Sequence, residues 1–406
     1  MSNKDTDSKI TVLNIANVLP YANKRANPII IENSEDIREY SEDRYQFCYI
    51  KPLPYSNFLL SLLKDKWKNY YEYPKNFRYS DNIVIHGIRG LVFPNSFLVQ
   101  LTSFTFFAFN FARIKSILRD NDVDMVHAHG LFPEGAIAYT INALFSIPFI
   151  LTVRSGIRRY FDEKSFGLTK VGENICYSAE KLLTLNHPQK SILQKNIDKE
   201  ITPLPHPICR EELWRDFGVS EPVKIITVSH LQKYKNIELV IEALARINNL
   251  GYQDSYTYTV VGRDKENLNL DDFAHDLGVE VNFTGELSYA DAQDKLKDSD
   301  IFVLPSYYET FGKAYIEALA KSNATIAVKD TGVYGYFQEN KEILYVDQGD
   351  VDSICSKLKL LLDDKDLIQK LKKHGYEAVK NDFTKNTVIG QYIKTFDDVL
   401  SAQIAK

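Results

Sequence analysis

Cysteine is scarce in this chain of 406 residues. The four cysteines are scattered, and no two of them form a C-x-x-C pair. The sequence therefore argues against a zinc site and against a disulfide framework, and it fits a reducing cytosol. The first nine residues are polar and lack the apolar core of a signal peptide, and no stretch has the unbroken apolar length of a membrane span. We expect a cytoplasmic protein.

Neither sign of charge is in large excess, since the formal net charge is −5. The charge is nevertheless uneven, because residues 1–205 carry a net +4 and the remainder a net −9. The acidic total and the lack of a recognised motif argue against nucleic-acid binding. The basic first half suits an anionic acceptor or the inner face of a membrane, and ordinary scatter of charge explains it equally well.

The predicted strand before Gly262 is followed by that single glycine and not by a G-x-G-x-x-G loop. A dinucleotide-binding interpretation therefore fails. Short apolar runs instead alternate with helical patterns. With a length that predicts about two domains, this alternation predicts two doubly wound parallel-sheet α/β domains. The predicted strands cover residues 10–15, 123–126, 148–153, 223–228, 258–261, 301–304 and 325–328.

The stretch from Ile301 to Ala320 carries the strongest signal of chemistry. An apolar strand ends at Pro305-Ser306, a turn contains Glu309, and a helix-forming run starts near Lys313. A helix that begins at the carboxyl end of a parallel strand points free N–H groups outward. The pattern therefore predicts a site for phosphate or for sugar hydroxyls.

The pattern E-x-F-G-x-x-x-x-E after a strand ending in Pro-Ser resembles the donor-site motif of the retaining family-four glycosyltransferases, which have the GT-B fold. The resemblance implies that Glu309 contacts hydroxyls of the transferred sugar and that Glu317 holds the ribose of the nucleotide. It also implies that the main chain of Phe311, Gly312 and Lys313 approaches the sugar and the diphosphate. An ordinary strand, turn and helix with two surface acids is the alternative.

The strand at 223–228 is followed by a second part of the resemblance. The family pattern there is G-R-L-x-x-x-K-G or K-N, whose Arg and Lys reach the donor diphosphate. Lys235 matches, but His230 stands at the Arg position and lacks the fixed charge and the fork of a guanidinium. Three outcomes stay open: a weaker enzyme, compensation by Lys233 or Arg263, or a non-catalytic relative. The resemblance also places the nucleotide base beside three consecutive residues: Gly285, Glu286 and Leu287.

In the first half, D-x-x-H-x-H-G follows the predicted strand at 123–126 and again resembles the family. The resemblance implies a histidine beside the transferred sugar. His129 is favoured for this role and His127 comes second. Two histidines also suit a metal, but no third ligand is recognisable nearby, and we expect no metal. Arg154, after the strand at 148–153, either meets an acceptor phosphate or belongs to a solvated basic face.

The loop after the first strand has no glycine, whereas many members of the family have a glycine-rich loop there. Lys24 and Arg25 either bind phosphate by side chain or belong to a solvated turn. Residues 56–79 interleave apolar, aromatic and lysine residues, which suits a helix on a bilayer or a helix packed on the sheet. Residues 98–118 predict a buried helix and not a membrane span.

The resemblance implies a GT-B fold whose two Rossmann-like domains face a central cleft. The predicted divisions are an acceptor-side domain at 1–207, a nucleotide-sugar domain at 208–385, and a C-terminal helix at 386–406 that returns to the first domain. The implied reaction is metal-independent transfer of a hexose, with retained configuration, from a UDP- or GDP-linked donor to a glycan or lipid-linked glycan. The donor is a substrate, and no cofactor is expected. The alternative is a catalytically silent GT-B binding or regulatory subunit.

Overall fold

The structure of the protein is a computed structural model. It describes residues 9–20, 28–54, 74–91, 99–154, 168–209 and 212–404. The chain divides into two compact units. The first unit comprises residues 1–185, 189–204 and 389–406, and the second comprises residues 186–188 and 205–388.

The first unit is built on an eight-stranded sheet with the strand order β3-β4-β2-β1-β5-β6-β7-β8. Every neighbouring pair is parallel except β3 and β4, so β3 is an antiparallel edge strand. The strands are β1 (Ile10–Ile15), β2 (Tyr45–Pro54), β3 (Asn76–Ser80), β4 (Ile83–Gly90), β5 (Val123–Ala128), β6 (Phe149–Val153), β7 (Lys181–Thr184) and β8 (Ile201–Pro203).

Helices cover the central strands of this sheet, which are mostly apolar, as in parallel sheets buried on both faces. All five residues of β6 are buried, and the main cluster of the core joins strands β1, β5 and β6 to the helices at 99–120, 136–145 and 168–178. The described helices in this part of the chain are α1 (Ile29–Tyr40), α2 (Val99–Asp120), α3 (Ala136–Phe145), α4 (Leu168–Ser178) and α5 (His187–Gln194).

Helix α2 was predicted as a buried helix, and the prediction of burial is wrong for part of its surface. Phe106 and Phe107 are buried, but Phe104 and Phe109 are exposed. The helix kinks at Asn110, whose amide nitrogen donates to the carbonyl of Phe106 at 2.8 Å and to that of Arg89 at 2.7 Å. A side chain that inserts into the helical hydrogen-bond ladder is a recognised cause of such kinks.

The second unit is built on a six-stranded parallel sheet with the order β11-β10-β9-β12-β13-β14. Its strands are β9 (Val223–Val228), β10 (Tyr256–Val261), β11 (Asn282–Gly285), β12 (Ile301–Val303), β13 (Ala324–Val328) and β14 (Leu344–Val346). Its helices are α6 (Ile237–Asn248), α7 (Leu270–Asp276), α8 (Tyr289–Lys297), α9 (Lys313–Ala320), α10 (Val351–Asp363) and α11 (Lys365–Asp382).

The last helix, α12 (Lys385–Ile404), returns to the first unit, as predicted. Phe396 lies with its ring centroid 5.4 Å from that of Tyr45, and Asp397 accepts a hydrogen bond of 2.5 Å from the Tyr45 hydroxyl. The predicted pair of parallel doubly wound sheets is confirmed. Within the described ranges, no helix combines the length and the apolarity needed to cross a membrane.

The segment 56–79 was predicted as one helix, and its last residues contradict that prediction. Residues 76–80 form strand β3, where Phe77 pairs with Ile85 of β4. Residues 55–73 lie outside the described part of the chain. Lys24 and Arg25 also lie outside it.

Candidate functional site

Three loops of the second unit meet at the carboxyl edge of its sheet, where parallel strands direct their following loops to one side. The Tyr307 amide donates to the Tyr234 carbonyl at 2.7 Å, and the Asn236 side chain donates to the Pro305 carbonyl at 3.0 Å. The Glu309 amide donates to the Thr331 hydroxyl at 2.8 Å. The loops after β9, β12 and β13 therefore form one hydrogen-bonded surface.

Lys235 and Glu309 form an ion pair on this surface. Their side chains are only 12% and 14% exposed. The Ser306 hydroxyl donates to the same Glu309 oxygen at 3.1 Å, which fixes the carboxylate over the loop. Lys235 ends a single 3₁₀ turn at Lys233–Lys235, after which α6 begins. Two residues that the sequence assigned to the transferred sugar and the diphosphate are thus in contact.

The loop of Glu309 leads directly into α9. Gly312 is the N-cap of this helix and has the left-handed conformation, with φ of 84° and ψ of 55°. A Cβ atom at this position would lie 2.5 Å from the Tyr315 ring, so both backbone and space require glycine. Phe311 is buried with its ring 5.4 Å from that of His206. A Cβ atom at Gly312 would also lie 3.8 Å from the Glu309 Cγ atom, so the start of α9 lies beside the acidic partner of the ion pair.

Glu317 lies on the second turn of α9 and has partners different from those of Glu309. The Lys313 ammonium and the Tyr289 hydroxyl each lie 3.3 Å from its Oε1 atom. Burial raises the pKa of Glu317, and the nearby Glu212 carboxylate raises it further. The Lys313 ammonium lowers this pKa and so opposes both effects in part. Tyr289 also donates to Glu212 and is 54% exposed. Glu317 is therefore a nearly buried acid in contact with one lysine and one exposed tyrosine.

His230 is exposed at the end of β9, and partial burial together with nearby Lys265, Lys235 and Arg263 lowers its pKa. Its neutral form therefore dominates at neutral pH. The loops after β9 and β10 pair here, because the Lys265 amide donates to the Leu231 carbonyl at 3.1 Å. Of the two compensating bases considered from the sequence, Arg263 lies near His230. Lys265 was missed, because nothing in its local sequence marks it.

Gly285 is the last residue of β11, and Glu286 and Leu287 follow it. Gly285 has a φ of 71°, and its carbonyl accepts from the Gly262 amide at 2.9 Å. Glu286 lies 4.0 Å from Arg263, which links this turn to the bases around His230. Tyr289 begins α8 only two residues beyond Leu287. The turn predicted for the base therefore adjoins both the basic loop and Glu317.

The two histidine rings of the first unit lie against each other at the end of β5, with ring centroids 3.9 Å apart and an interplanar angle of 36°. His127 is 2% exposed, and its Nε2 lies 2.7 Å from the Thr152 hydroxyl. Burial and the nearby Arg154 lower the pKa of His127 to about 3, so it is neutral. His129 is 8% exposed, and its Nε2 lies 2.9 Å from the Asn14 side-chain oxygen.

Arg154 is buried at the end of β6, so its assignment to a solvated basic face is wrong. It lies near Glu134, which was not predicted as a site residue and which accepts from the Asn17 amide at 2.9 Å. Burial raises the pKa of Glu134 to about 7. Hydrogen bonds from the backbone of Glu134 and Asn17 lower this pKa, as do the charges of Lys51 and Arg154, but burial has the largest effect. Among the described residues, no group of three His, Cys, Asp or Glu side chains is placed to hold a metal ion.

Solved structures match nearly the whole chain. Sucrose-phosphate synthase from Thermosynechococcus elongatus is 16% identical, with a TM-score of 0.71, and the match covers 97% of this chain and 100% of that chain. HepE from Anabaena in complex with UDP is 15% identical, with a TM-score of 0.69, and the match covers 96% and 100%. The fold of this chain is therefore the GT-B fold of glycosyltransferases.

Residues 210–378 match the family described as glycosyl transferases group 1. Within these residues the chain is similar to the glycosyl transferases group 1 family, in agreement with the glycosyltransferase resemblance predicted from the residues around Glu309. The matched range contains every predicted donor-site residue from His230 to Glu317.

The names of curated relatives refer to the biosynthesis of surface glycans and of an N-acetylglucosaminyl malate. The teichuronic acid biosynthesis glycosyltransferase TuaC of Bacillus subtilis is 26% identical over 237 residues, which is 56% of this chain and 58% of that protein. The N-acetyl-alpha-D-glucosaminyl L-malate synthase of Bacillus anthracis is 21% identical over 76% of this chain and 86% of its own. The chain thus matches less than two thirds of the length of TuaC.

Proposed function

We propose that this chain transfers a hexose from a nucleotide-diphosphate sugar to a hydroxyl group of a glycan or a lipid-linked glycan. The transfer retains the anomeric configuration and needs no metal ion. The observation that carries the proposal is the buried Lys235–Glu309 ion pair beside the N-terminus of α9. It joins a cation for the diphosphate, a carboxylate for the sugar and the backbone N–H groups of a helix N-terminus on one surface.

The departing nucleotide diphosphate gains negative charge in the transition state, and preorganised donors that face this charge lower the barrier. Lys235 and the start of α9 supply such groups. His230, whose pKa is lowered, contributes no fixed charge at neutral pH, and the nearby Arg263 and Lys265 take over that contribution. A positive charge develops on the sugar ring at the same time, and the Glu309 carboxylate orients the ring through its hydroxyls.

Glu317 holds the ribose of the donor in this proposal. A carboxylate accepts hydrogen bonds from two neighbouring hydroxyls, and the Oε1 atom of Glu317 lies 3.3 Å from the Tyr289 hydroxyl, a group that ribose replaces. The neighbouring turn at Gly285–Leu287 receives the base. A uridine donor is supported by the likeness in fold to HepE, which was solved with UDP.

The acceptor in this proposal belongs to surface polysaccharide assembly, such as capsule, O-antigen or exopolysaccharide. Relatives support this class through their names, which include TuaC and the lipopolysaccharide core biosynthesis glycosyltransferase LpsE of Rhizobium meliloti. A lipid-linked acceptor brings the enzyme to the cytoplasmic face of the membrane, in peripheral contact through the first unit.

The first experiment is thermal stabilisation of the purified chain by a panel of UDP- and GDP-sugars, each with and without EDTA. We expect one nucleotide class to raise the melting temperature and EDTA to leave that shift unchanged. Donor hydrolysis is then followed by NMR, which reports the anomeric configuration of the released product. Stabilisation by no nucleotide sugar, or stabilisation without any turnover, would favour the catalytically silent binding subunit.

A further inference from the structure

A chain of three hydrogen bonds runs behind His129 in the first unit. The His129 Nε2 atom lies 2.9 Å from the Asn14 side-chain oxygen. The Asn14 amide nitrogen donates to the Ser34 hydroxyl oxygen at 3.1 Å, and the Ser34 hydroxyl donates to the Ile30 carbonyl at 2.7 Å. Asn14 and Ser34 are 2% and 3% exposed, so water does not compete for these bonds.

The chain of bonds has only one direction. The Ile30 carbonyl accepts and never donates, so the Ser34 proton is committed to it. The Ser34 oxygen must then accept from Asn14, which sets the Asn14 NH₂ group toward Ser34 and its oxygen toward His129. That oxygen also only accepts, so the Nε2 atom of His129 must carry a proton. In the neutral ring, the lone pair is left on Nδ1.

The members of the chain lie on three elements. Ile30 and Ser34 are on α1, Asn14 is in β1 and His129 follows β5, beside β1 in the sheet. Helix α1 therefore fixes the protonation state of the His129 ring through Asn14. The neighbouring His127 differs, since its Nε2 bonds to the Thr152 hydroxyl, which is able both to donate and to accept.

We propose that Asn14 and Ser34 are positioning residues that hold His129 in the Nε2-protonated tautomer, so that its Nδ1 lone pair is the acceptor for a hydroxyl of the transferred sugar. The consequence for catalysis rests on the proposed function, whereas the tautomer itself does not. A second partner that sets the tautomer of a functional histidine is a general device of histidine sites.

The test uses the full-length protein labelled with ¹⁵N-histidine. Imidazole nitrogen NMR spectra separate the two tautomers, and His129→Gln assigns the signals of His129. We expect Nε2 protonated and Nδ1 unprotonated in the wild type. A wild-type His129 protonated on Nδ1 would overturn the proposal.

The Ser34→Ala variant removes the acceptor of the Asn14 NH₂ group and frees the amide to turn over. We expect His129 to gain Nδ1-protonated population and the turnover number to fall roughly 10-fold, as when a histidine loses its orienting partner. Ser299→Ala is the matched control, because the buried Ser299 hydroxyl also donates to the carbonyl four residues earlier, at 2.7 Å, in the second unit. This control should change neither quantity.

An unchanged tautomer in a folded Ser34→Ala protein would overturn the proposal. A changed tautomer with unchanged turnover would support the positioning and would instead contradict the role of His129 in the proposed function. If Ser34→Ala does not fold, Asn14→Asp provides the test. Its carboxylate still accepts from Nε2, so the wild-type tautomer should persist while the ring becomes doubly protonated at a higher pH than in the wild type. No such rise would overturn the proposal.

Discussion

The Lys235 ammonium group lies against the Glu309 carboxylate, and both side chains are nearly buried. A buried ion pair contributes less to stability than its removal suggests, because cutting one partner leaves the other charge without compensation. We therefore expect Lys235→Ala and Glu309→Ala each to lower the free energy of unfolding by roughly 3 kcal/mol. The double variant should recover part of that loss, while all three variants should lose donor turnover.

Denaturant unfolding and donor hydrolysis, measured on the same samples, check this prediction. Lys224→Ala is the control, because the exposed Lys224–Asp298 pair at 2.8 Å should contribute about 0–1 kcal/mol. If Glu309→Ala and Lys235→Ala leave turnover untouched, the site is misassigned.

Gly312→Ala tests the N-terminus of α9. The substitution meets two obstacles, since φ is 84° and the new Cβ lies 2.5 Å from the Tyr315 ring. We expect destabilisation of about 2 kcal/mol or more and weaker binding of nucleotide sugar, by thermal unfolding and by titration calorimetry. Gly278→Ala separates the causes, because φ there is 66° but no atom lies within 4 Å of the added Cβ. Equal losses in the two variants would remove any special role of the Tyr315 contact.

Glu317→Gln tests the ribose assignment. The amide accepts through one oxygen only, so it cannot bind two neighbouring hydroxyls as a carboxylate does. We expect the wild type to bind a UDP-sugar roughly 10-fold more tightly than its 2′,3′-dideoxy analogue. We expect Glu317→Gln to lose most of that preference. Competition binding of the two nucleotides gives the ratio. A preference kept in full by Glu317→Gln would place the ribose elsewhere.

The buried Glu134 makes the free energy of unfolding depend on pH in a definite direction. Burial raises its pKa to about 7, so the folded state holds the proton more tightly than the unfolded state. The stability that comes from this proton is present below the ordinary pKa near 4.5 and is lost as the pH rises through about 7. Glu134→Gln should therefore match the wild type in acid and exceed it by roughly 2–3 kcal/mol at pH 8.

Urea unfolding from pH 4.5 to pH 8 follows this difference. The exposed Glu200→Gln substitution makes the same chemical change at the surface and is the matched control. A flat difference for Glu134→Gln as well would mean that the carboxyl is ionised in the folded protein throughout.

Strands that consist mainly of apolar residues were predictable, because such a run indicates a buried strand without any knowledge of its neighbours. Strand β9 has the predicted bounds, and β12 differs by one residue. Strand β2, in contrast, was missed. Pro52 and Pro54 lie within it, and prolines argue against an interior strand; they are tolerated here because the ladder with β1 ends at Ile50, so that both prolines pair with β4 alone. Its environment comes from β1 and β4, which no local pattern reveals.

The residues of the candidate site likewise fall into those that the sequence predicted and those that it did not. Glu309, Gly312 and Lys235 were found because each belongs to a strand-loop pattern of a few residues. Tyr289 and Lys265 were not, since their importance depends on contacts with segments distant in the chain. A tyrosine two residues after a turn looks like any helix start until its hydroxyl is found beside Glu317.

The paired imidazoles at the end of β5 restrict the charge that this edge of the first sheet can carry. Two rings with centroids 3.9 Å apart repel each other if both are cationic, and burial together with the nearby Arg154 lowers the pKa of His127. A neutral His127 therefore offers a ligand shape and not charge, and the buried Arg154 supplies the positive charge beside it. A substitution of His127 would then alter the fit of a ligand at this edge more than the charge that the ligand meets.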